Sequence, residues 1–205
     1  MTPAEVQARI AAGAVVLDMR PPKPFAAEHL PGAVNIQFNR ADLADRAEMA
    51  FPKDAPAIVH AEPEPIAKAA VDILQQAGFT VAGHLEGGLK AWKAASMPTE
   101  SLPLLDVDQL NARLADYDIV DVRERYEYKH GHVPGARLLP WTEAWQRAAA
   151  DAGDKPLAVI CGDQVRSAWA ASVLKRAGRP ASLVMGGMAD WTERGYTVAK
   201  GVDPS

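Results

Sequence analysis

Cysteine is almost absent from this chain: among 205 residues there is one, Cys161. A single thiol excludes an internal disulfide and a four-cysteine zinc site. The expectation that follows is a reducing compartment, the cytoplasm. Blocks of lysine or arginine are also missing, and the formal net charge is −4. The chain therefore offers no electrostatic footprint for nucleic acid or an anionic membrane surface. Its apolar runs are far too short to span a bilayer. No signal-peptide pattern opens the sequence; MTPAEVQARI reads as a helix, with Thr2 as its cap, Pro3 in the first turn and Glu5 closing a capping box. What is plentiful is apolar residues, 48% of the total, enough for a packed core in one large domain or two ordinary ones.

An internal repeat decides between those two. VVLDMR (15–20) is echoed by DIVDVR (118–123), HLPGAVNI (29–36) by HVPGARLL (132–139), and LEGGLKAW (85–92) by VMGGMADW (184–191). The copies keep a spacing of about one hundred residues. Two homologous domains are predicted, 1–97 and 98–205, joined through the Pro-containing polar stretch Ser96–Pro103. In the second copy, Val107, Leu110 and Leu114 mark one face of a helix. IVDV reads as a buried strand, Leu138–Leu139 as another, and TEAWQRAAA as a helix. LAVI is a strand apolar on both faces, SAWAASVLKRAG a helix stopped at Gly178, SLVM a strand, and GGMADWTERG a last short helix. The alternation predicts an α/β fold: two domains, each a mainly parallel sheet flanked by helices. In such sheets ligands bind beyond the carboxyl ends of the strands, where Cys161 falls.

The stretch CGDQVRSA, 161–168, carries the chemistry. Cys161 ends a buried strand and Ser167 is expected to begin a helix, so the loop amides between them lack helical partners and can turn inward. Such a ring attracts anions and predicts a lowered thiol pKa for Cys161. Arg166 adds a fork of donors suited to an oxyanion. Nucleophile, amides and guanidinium together describe attack on an anionic substrate. A cysteine at a strand end also occurs simply as a small buried hydrophobe. Against that reading, the first copy has Ala61 for Cys161 and Ile66 for Arg166. Both groups vanish together, while Glu62, Pro63, Glu64 and Pro65 make that loop stiff and anion-repelling.

Elsewhere the residues read as structure. His132 and His29 order the turns before Pro134 and Pro31, and Asp121 with Arg123 forms an ion pair at a strand end. His130 and His60 have solvent or core roles. Trp141 and Trp145 pack a core or interface, and Trp92 and Trp191 fill matching cores. Arg125 is a candidate substrate contact, with a solvated charge as the default.

These motifs resemble the rhodanese superfamily of sulfurtransferases. The resemblance rests on DVRERYEYKHGHVPGA, with Asp121, Arg123, Glu127, Tyr128, Gly131, His132, Pro134 and Gly135 in matching places. It rests also on the six-residue turn Cys161–Arg166 followed by Ser167, and on Gly186, Gly187 and Trp191. It implies a tandem rhodanese with an inactive N-terminal copy and an active C-terminal one. Cys161 is then the catalytic nucleophile, carrying a persulfide formed from a donor such as thiosulfate or 3-mercaptopyruvate. Gly162, Asp163, Gln164, Val165, Arg166 and Ser167 bind the substrate, and in a rhodanese-like fold the segment bearing Arg125 borders the pocket. The sulfur passes to a thiol, cyanide or a protein cysteine. No metal or organic cofactor is implied, nor a nucleic-acid or membrane partner.

Two loop residues depart from the family pattern. Gln164 stands where many loops have glycine, at a cost of about 1 kcal/mol if a left-handed backbone is needed there. Asp163 places a negative charge where an anion is expected. Two rivals stay open. A phosphatase or arsenate reductase of the same fold has five residues between Cys and Arg, against four here. A non-catalytic rhodanese-like interaction or regulatory module is the other.

Overall fold

The computed structural model describes residues 1–201; the last four residues of the second predicted domain lie outside the described residues. The chain divides into two compact units, Met1–Ser101 and Leu102 onward, and the division falls inside the polar segment Ser96–Pro103.

The N-terminal unit runs α1 (Pro3–Ala11), β1 (Val15–Asp18), α2 (Pro22–Ala27), β2 (Val34–Asn35), α3 (Leu43–Ala50), β3 (Ala57–His60), α4 (Glu64–Gln76), β4 (Val81–His84) and α5 (Gly88–Ala94). Its sheet order is β2-β1-β3-β4. The predicted capping box opens α1, with Thr2 N–H donating to Glu5 and Glu5 N–H to the Thr2 hydroxyl.

The C-terminal unit runs β5 (Leu104–Leu105), α6 (Val107–Ala112), β6 (Asp118–Asp121), α7 (Arg125–His130), β7 (Arg137–Leu138), α8 (Ala144–Arg147), β8 (Leu157–Ile160), α9 (Val165–Arg176), β9 (Ala181–Val184) and α10 (Gly187–Glu193). Its order is β5-β9-β8-β6-β7. Every ladder between named strands is parallel in both sheets. The predicted helix over TEAWQRAAA is interrupted: α8 is one turn, flanked by 3₁₀ turns at Trp141–Glu143 and Ala148–Ala150. Trp145 stacks on Trp169 at 6.2 Å, and Trp141 Nε1–H donates to Glu124, which makes both packing residues.

LAVI is buried at all four positions because β8 lies mid-sheet between β6 and β9 and is covered on both faces. Alternate side chains part to opposite sides. Ala158 and Ile160 join Ile119, Val184, Met188 and Trp191 in one core, while α9 packs against β8 and β9. That helix is buried along Ser167–Leu174, which explains its run of alanines and its weak polar face. It ends at Ala177 and Gly178, the latter at φ +94°, as the predicted stop requires.

Repeated sequence becomes repeated structure. Arg20 grips Asp18 through Nε and Nη2 (3.0 and 2.6 Å), and Arg123 grips Asp121 likewise (3.0 and 2.7 Å); both pairs are buried at strand ends. His29 stacks on Phe25 and donates from Nδ1 to its carbonyl; His132 does the same to Tyr128. Each histidine also bridges the end of its own unit through paired backbone bonds, His29 with Glu100 and His132 with Ala199. Trp92 and Trp191 are both fully buried, each donating from Nε1 to a carbonyl six residues on, Pro98 and Thr197.

One pair breaks the symmetry. His60 registers with Asp18 as Ile160 does with Asp121. Its ring is fully buried and neither nitrogen has a hydrogen-bond partner; Asp18 Oδ2 lies 4.0 Å from Nε2. Burial pushes its pKa below the ordinary 6.5, the Asp18 charge opposing it. His60→Ile, copying the second unit, is expected to stabilise the first by about 1–3 kcal/mol, since an unpaired buried polar group costs that much. The gain should widen as pH falls below 6.5, where the unfolded imidazole takes up a proton that the folded one resists. Urea titrations at neutral and mildly acidic pH check both points; equal midpoints for the two proteins would refute them.

Candidate active site

Strand β8 delivers Cys161 to the carboxyl edge of the sheet, and the chain turns at once into α9. The helix begins at Val165, two residues before the expected Ser167. The cause is Asp163. Its Oδ1 accepts the Gln164 N–H at 2.5 Å and the Val165 N–H at 2.9 Å, satisfying orphan donors at the helix start. Gln164 flanks the helix at φ −159°, on the negative side of φ, so the left-handed penalty expected there does not arise.

A second contact orients the loop from the other side. Met188 N–H, in the first turn of α10, donates to the Cys161 carbonyl at 2.8 Å, and Ala189 N–H donates to the Gly162 carbonyl at 3.0 Å. In a trans peptide the C=O and N–H point opposite ways. Holding the Gly162 carbonyl toward α10 therefore turns the Asp163 N–H inward. Backbone hydrogen bonding from Ser167 and, more weakly, from Asp163 favours the Cys161 thiolate. Sγ also lies 3.3 Å from Ser167 Oγ and 3.5 Å from Asp163 Oδ1. The Asp163 carboxylate thus takes the Gln164 and Val165 amides of the loop.

The expectation of a lowered thiol pKa is overturned. Cys161 is fully buried, and loss of solvation pushes its pKa above the ordinary 9.0, outweighing the bonds from Ser167 and the Asp163 amide. The Asp163 charge adds to the upward push. Asp163 itself is held below the usual carboxylate value by the Val165 and Gln164 amides, which prevail over its partial burial. Alkylation of Cys161 by iodoacetamide is accordingly expected to be slow at neutral pH and to climb through pH 9. Asp163→Asn, which keeps an acceptor for the amides but removes the charge, should shift that profile to lower pH. An unshifted profile would show that Asp163 exerts no field on the thiol.

Arg166 folds over the loop, its Nη2 close enough that a Cβ on Gly162 would meet it at 3.2 Å. Its fork is already taken: Nη1 and Nη2 donate to the two carboxylate oxygens of Glu127 at 2.5 and 2.9 Å. The pairing raises the Arg166 pKa and lowers that of Glu127. Glu127 also accepts the Glu124 N–H at 3.1 Å.

Of the residues singled out in the sequence, Cys161, Gly162, Asp163, Gln164, Val165, Arg166 and Ser167 form one turn. Arg125 goes elsewhere. It pairs with Glu143 at 2.9 Å on the surface, its side chain 63% exposed. Residues two apart on a helix face opposite sides, so α7 presents Glu127 to the loop and Arg125 to solvent. Glu127 and the two glycines that open α10, Gly186 and Gly187, are the site residues that sequence reasoning left without a role. Gly187, at φ +60°, sits so close that a Cβ would lie 2.4 Å from the Cys161 carbonyl oxygen. The repeated GG pair was the available signal; Glu127, 39 residues from Arg166, had no local one.

The matching turn of the N-terminal unit holds its own carboxylates. Glu62 accepts the Leu89 N–H at 3.1 Å. Glu64 is held down to a pKa of about 2 by Lys68, His84 and the Gly87 amide. Ala61 is buried and offers no nucleophile.

The Rhodanese-like domain family matches residues 2–95 and 106–194. The chain is 30% identical over 95 residues to thiosulfate sulfurtransferase GlpE of Pseudomonas entomophila, covering 46% of this chain and 84% of that one. It is 35% identical over 74 residues to the uncharacterized protein YqhL of Bacillus subtilis, covering 36% and 59%. It is 30% identical over 107 residues to the putative sulfur carrier protein YrkF of the same species, covering 50% and 58%. With several of these relatives the chain spans only about half of their length. A rhodanese-related protein from Thermoplasma volcanium is 30% identical with a TM-score of 0.47, covering 48% of this chain and 99% of that one. With two family matches that together span most of its length, and with two parallel α/β units to carry them, the chain belongs to the rhodanese-like family as a tandem member.

Proposed function

We propose that the C-terminal unit is a sulfurtransferase working through a persulfide on Cys161, and that the N-terminal unit is a catalytically inactive copy. The observation that carries this reading is Cys161 at the head of the turn, its Sγ 3.3 Å from Ser167 Oγ, with backbone hydrogen bonding from Ser167 and Asp163 favouring the thiolate. Donors gathered around a single sulfur suit an anion centred on one atom. In the first half-reaction Sγ attacks the outer, sulfane sulfur of the donor. The donor's bond to that sulfur breaks, its electron pair leaves with the remainder of the donor, and a Cys161 persulfide remains. In the second, an acceptor thiol, cyanide or protein cysteine attacks the terminal sulfur and Cys161 departs as thiolate, held by the same amides. One cysteine suffices for both steps.

The GlpE relatives bear the name thiosulfate sulfurtransferase, which supports the reaction class. A phosphatase is less well supported: Gly162 to Val165 is a span of four residues, and the Arg166 fork is committed to Glu127. The test is intact-mass analysis after incubation with thiosulfate, 3-mercaptopyruvate and cysteine persulfide in turn. One added sulfur, lost in Cys161→Ser, is the expected result. No adduct from any donor would leave the non-catalytic module as the reading.

A further inference from the structure

We infer that Asp163 is the specificity-determining residue of the loop and that the sulfur donor is a hydropersulfide, RS–SH, rather than thiosulfate. The inference rests on the sulfurtransferase reading above. Thiosulfate presents a sulfonate next to the sulfur it gives up, so a site for it needs donors for several oxygens as well as for one sulfur. Here part of that set is engaged inside the protein. The Gln164 and Val165 amides are bound to Asp163 Oδ1 at 2.5 and 2.9 Å. The Arg166 fork is closed on both oxygens of Glu127. Beside Sγ itself lies the Ser167 hydroxyl, its Oγ 3.3 Å away. The Asp163 carboxylate, 3.5 Å from Sγ, also sets a like charge against an approaching sulfonate.

A hydropersulfide asks for less. Its leaving side is a thiol on carbon, which needs no ring of donors, and its outer sulfur meets the turn beside the Ser167 hydroxyl. The balance is Cys161–SH + RS–SH → Cys161–S–SH + RSH. Sγ bonds to the outer sulfur, the donor's S–S bond breaks, and RS⁻ leaves with the bonding pair and takes up the proton that Sγ released. No oxidant or reductant enters.

The test compares initial rates of sulfur loading on Cys161, by quenched intact-mass analysis, for cysteine persulfide, thiosulfate and 3-mercaptopyruvate. It uses the whole chain and its Asp163→Asn and Asp163→Gly variants, each first shown to melt cooperatively. The whole chain should load from the persulfide roughly tenfold or more faster than from thiosulfate, and Asp163→Gly, which frees two amides and removes the charge, should move that ratio toward thiosulfate by a similar factor. Asp163→Asn, which removes the charge alone, should move it part of the way. Loading from thiosulfate or 3-mercaptopyruvate as fast as from the persulfide, or a ratio that neither variant changes, overturns the inference and leaves sulfurtransfer standing. No loading from any donor overturns both.

Discussion

Gly187→Ala is expected to lower sulfur loading on Cys161 by about 100-fold, because displacements of about 1 Å at a reacting centre cost that much. The added Cβ would lie 2.4 Å from the Cys161 carbonyl oxygen and 2.7 Å from that of Asp163, both backbone atoms with no soft torsion to retreat along. Relief must come from moving the loop or α10. Either movement breaks the bonds from Met188 and Ala189 that hold the Cys161 and Gly162 carbonyls outward and the Asp163 amide inward. A left-handed alanine at φ +60° adds about 1–2 kcal/mol of backbone strain. Strain and collision are separable. Gly178→Ala bears comparable strain at φ +94° with nothing within 4 Å of its Cβ, and should lose stability while keeping its loading rate. The twin Gly88→Ala meets mainly the flexible end of Glu62, at 2.9 Å, and should leave loading intact. A Gly187→Ala protein that loads at the wild-type rate would show that α10 does not set the loop.

Arg123→Ala is the second large effect, and it acts on the fold. Asp121 is fully buried at the end of β6, in register with Ile160, and its charge is met by the Arg123 backbone N–H, Nε and Nη2 at 3.0, 3.0 and 2.7 Å. Truncating the arginine leaves a carboxylate without water or cation and removes the clamp on the Gly131 carbonyl. The expected cost is about 3–5 kcal/mol, a large part of the 5–15 kcal/mol that holds an ordinary domain. Urea unfolding of the C-terminal transition measures it. Asp121→Asn combined with Arg123→Met removes the stranded charge and should recover much of the loss. A double variant no better than Arg123→Ala would mean the arginine matters as packing rather than as counter-charge.

The turn shows where sequence reading succeeds and where it stops. The position of Cys161 at a strand's carboxyl end was legible because LAVI is apolar on both faces and followed by a helix pattern. The loss of thiol and guanidinium from the first copy was legible because Ala61 and Ile66 stand at the matching places. The error on the thiol's pKa had a definite source. A helix start lowers a pKa only if its amides reach the sulfur and water reaches it too; here Asp163 takes two of the amides and burial removes the water. For Arg125 the default reading, a solvated charge, is what the structure shows; which of Arg125 and Glu127 faces the loop is a matter of α7's rotation.

By itself the sequence determined the repeat, the α/β alternation, the end-of-strand cysteine, the Asp121–Arg123 ion pair and the turn-ordering histidines of both halves. All of these follow from local period, chain direction and spacing within a few residues. Only the tertiary structure decided what each polar group of the loop is bonded to. Glu127 reaches Arg166 across 39 residues, and Met188 and Ala189 reach the loop from a separate helix. A hydrogen bond depends on distances of a few tenths of an ångström between atoms whose separation along the chain carries no trace of it.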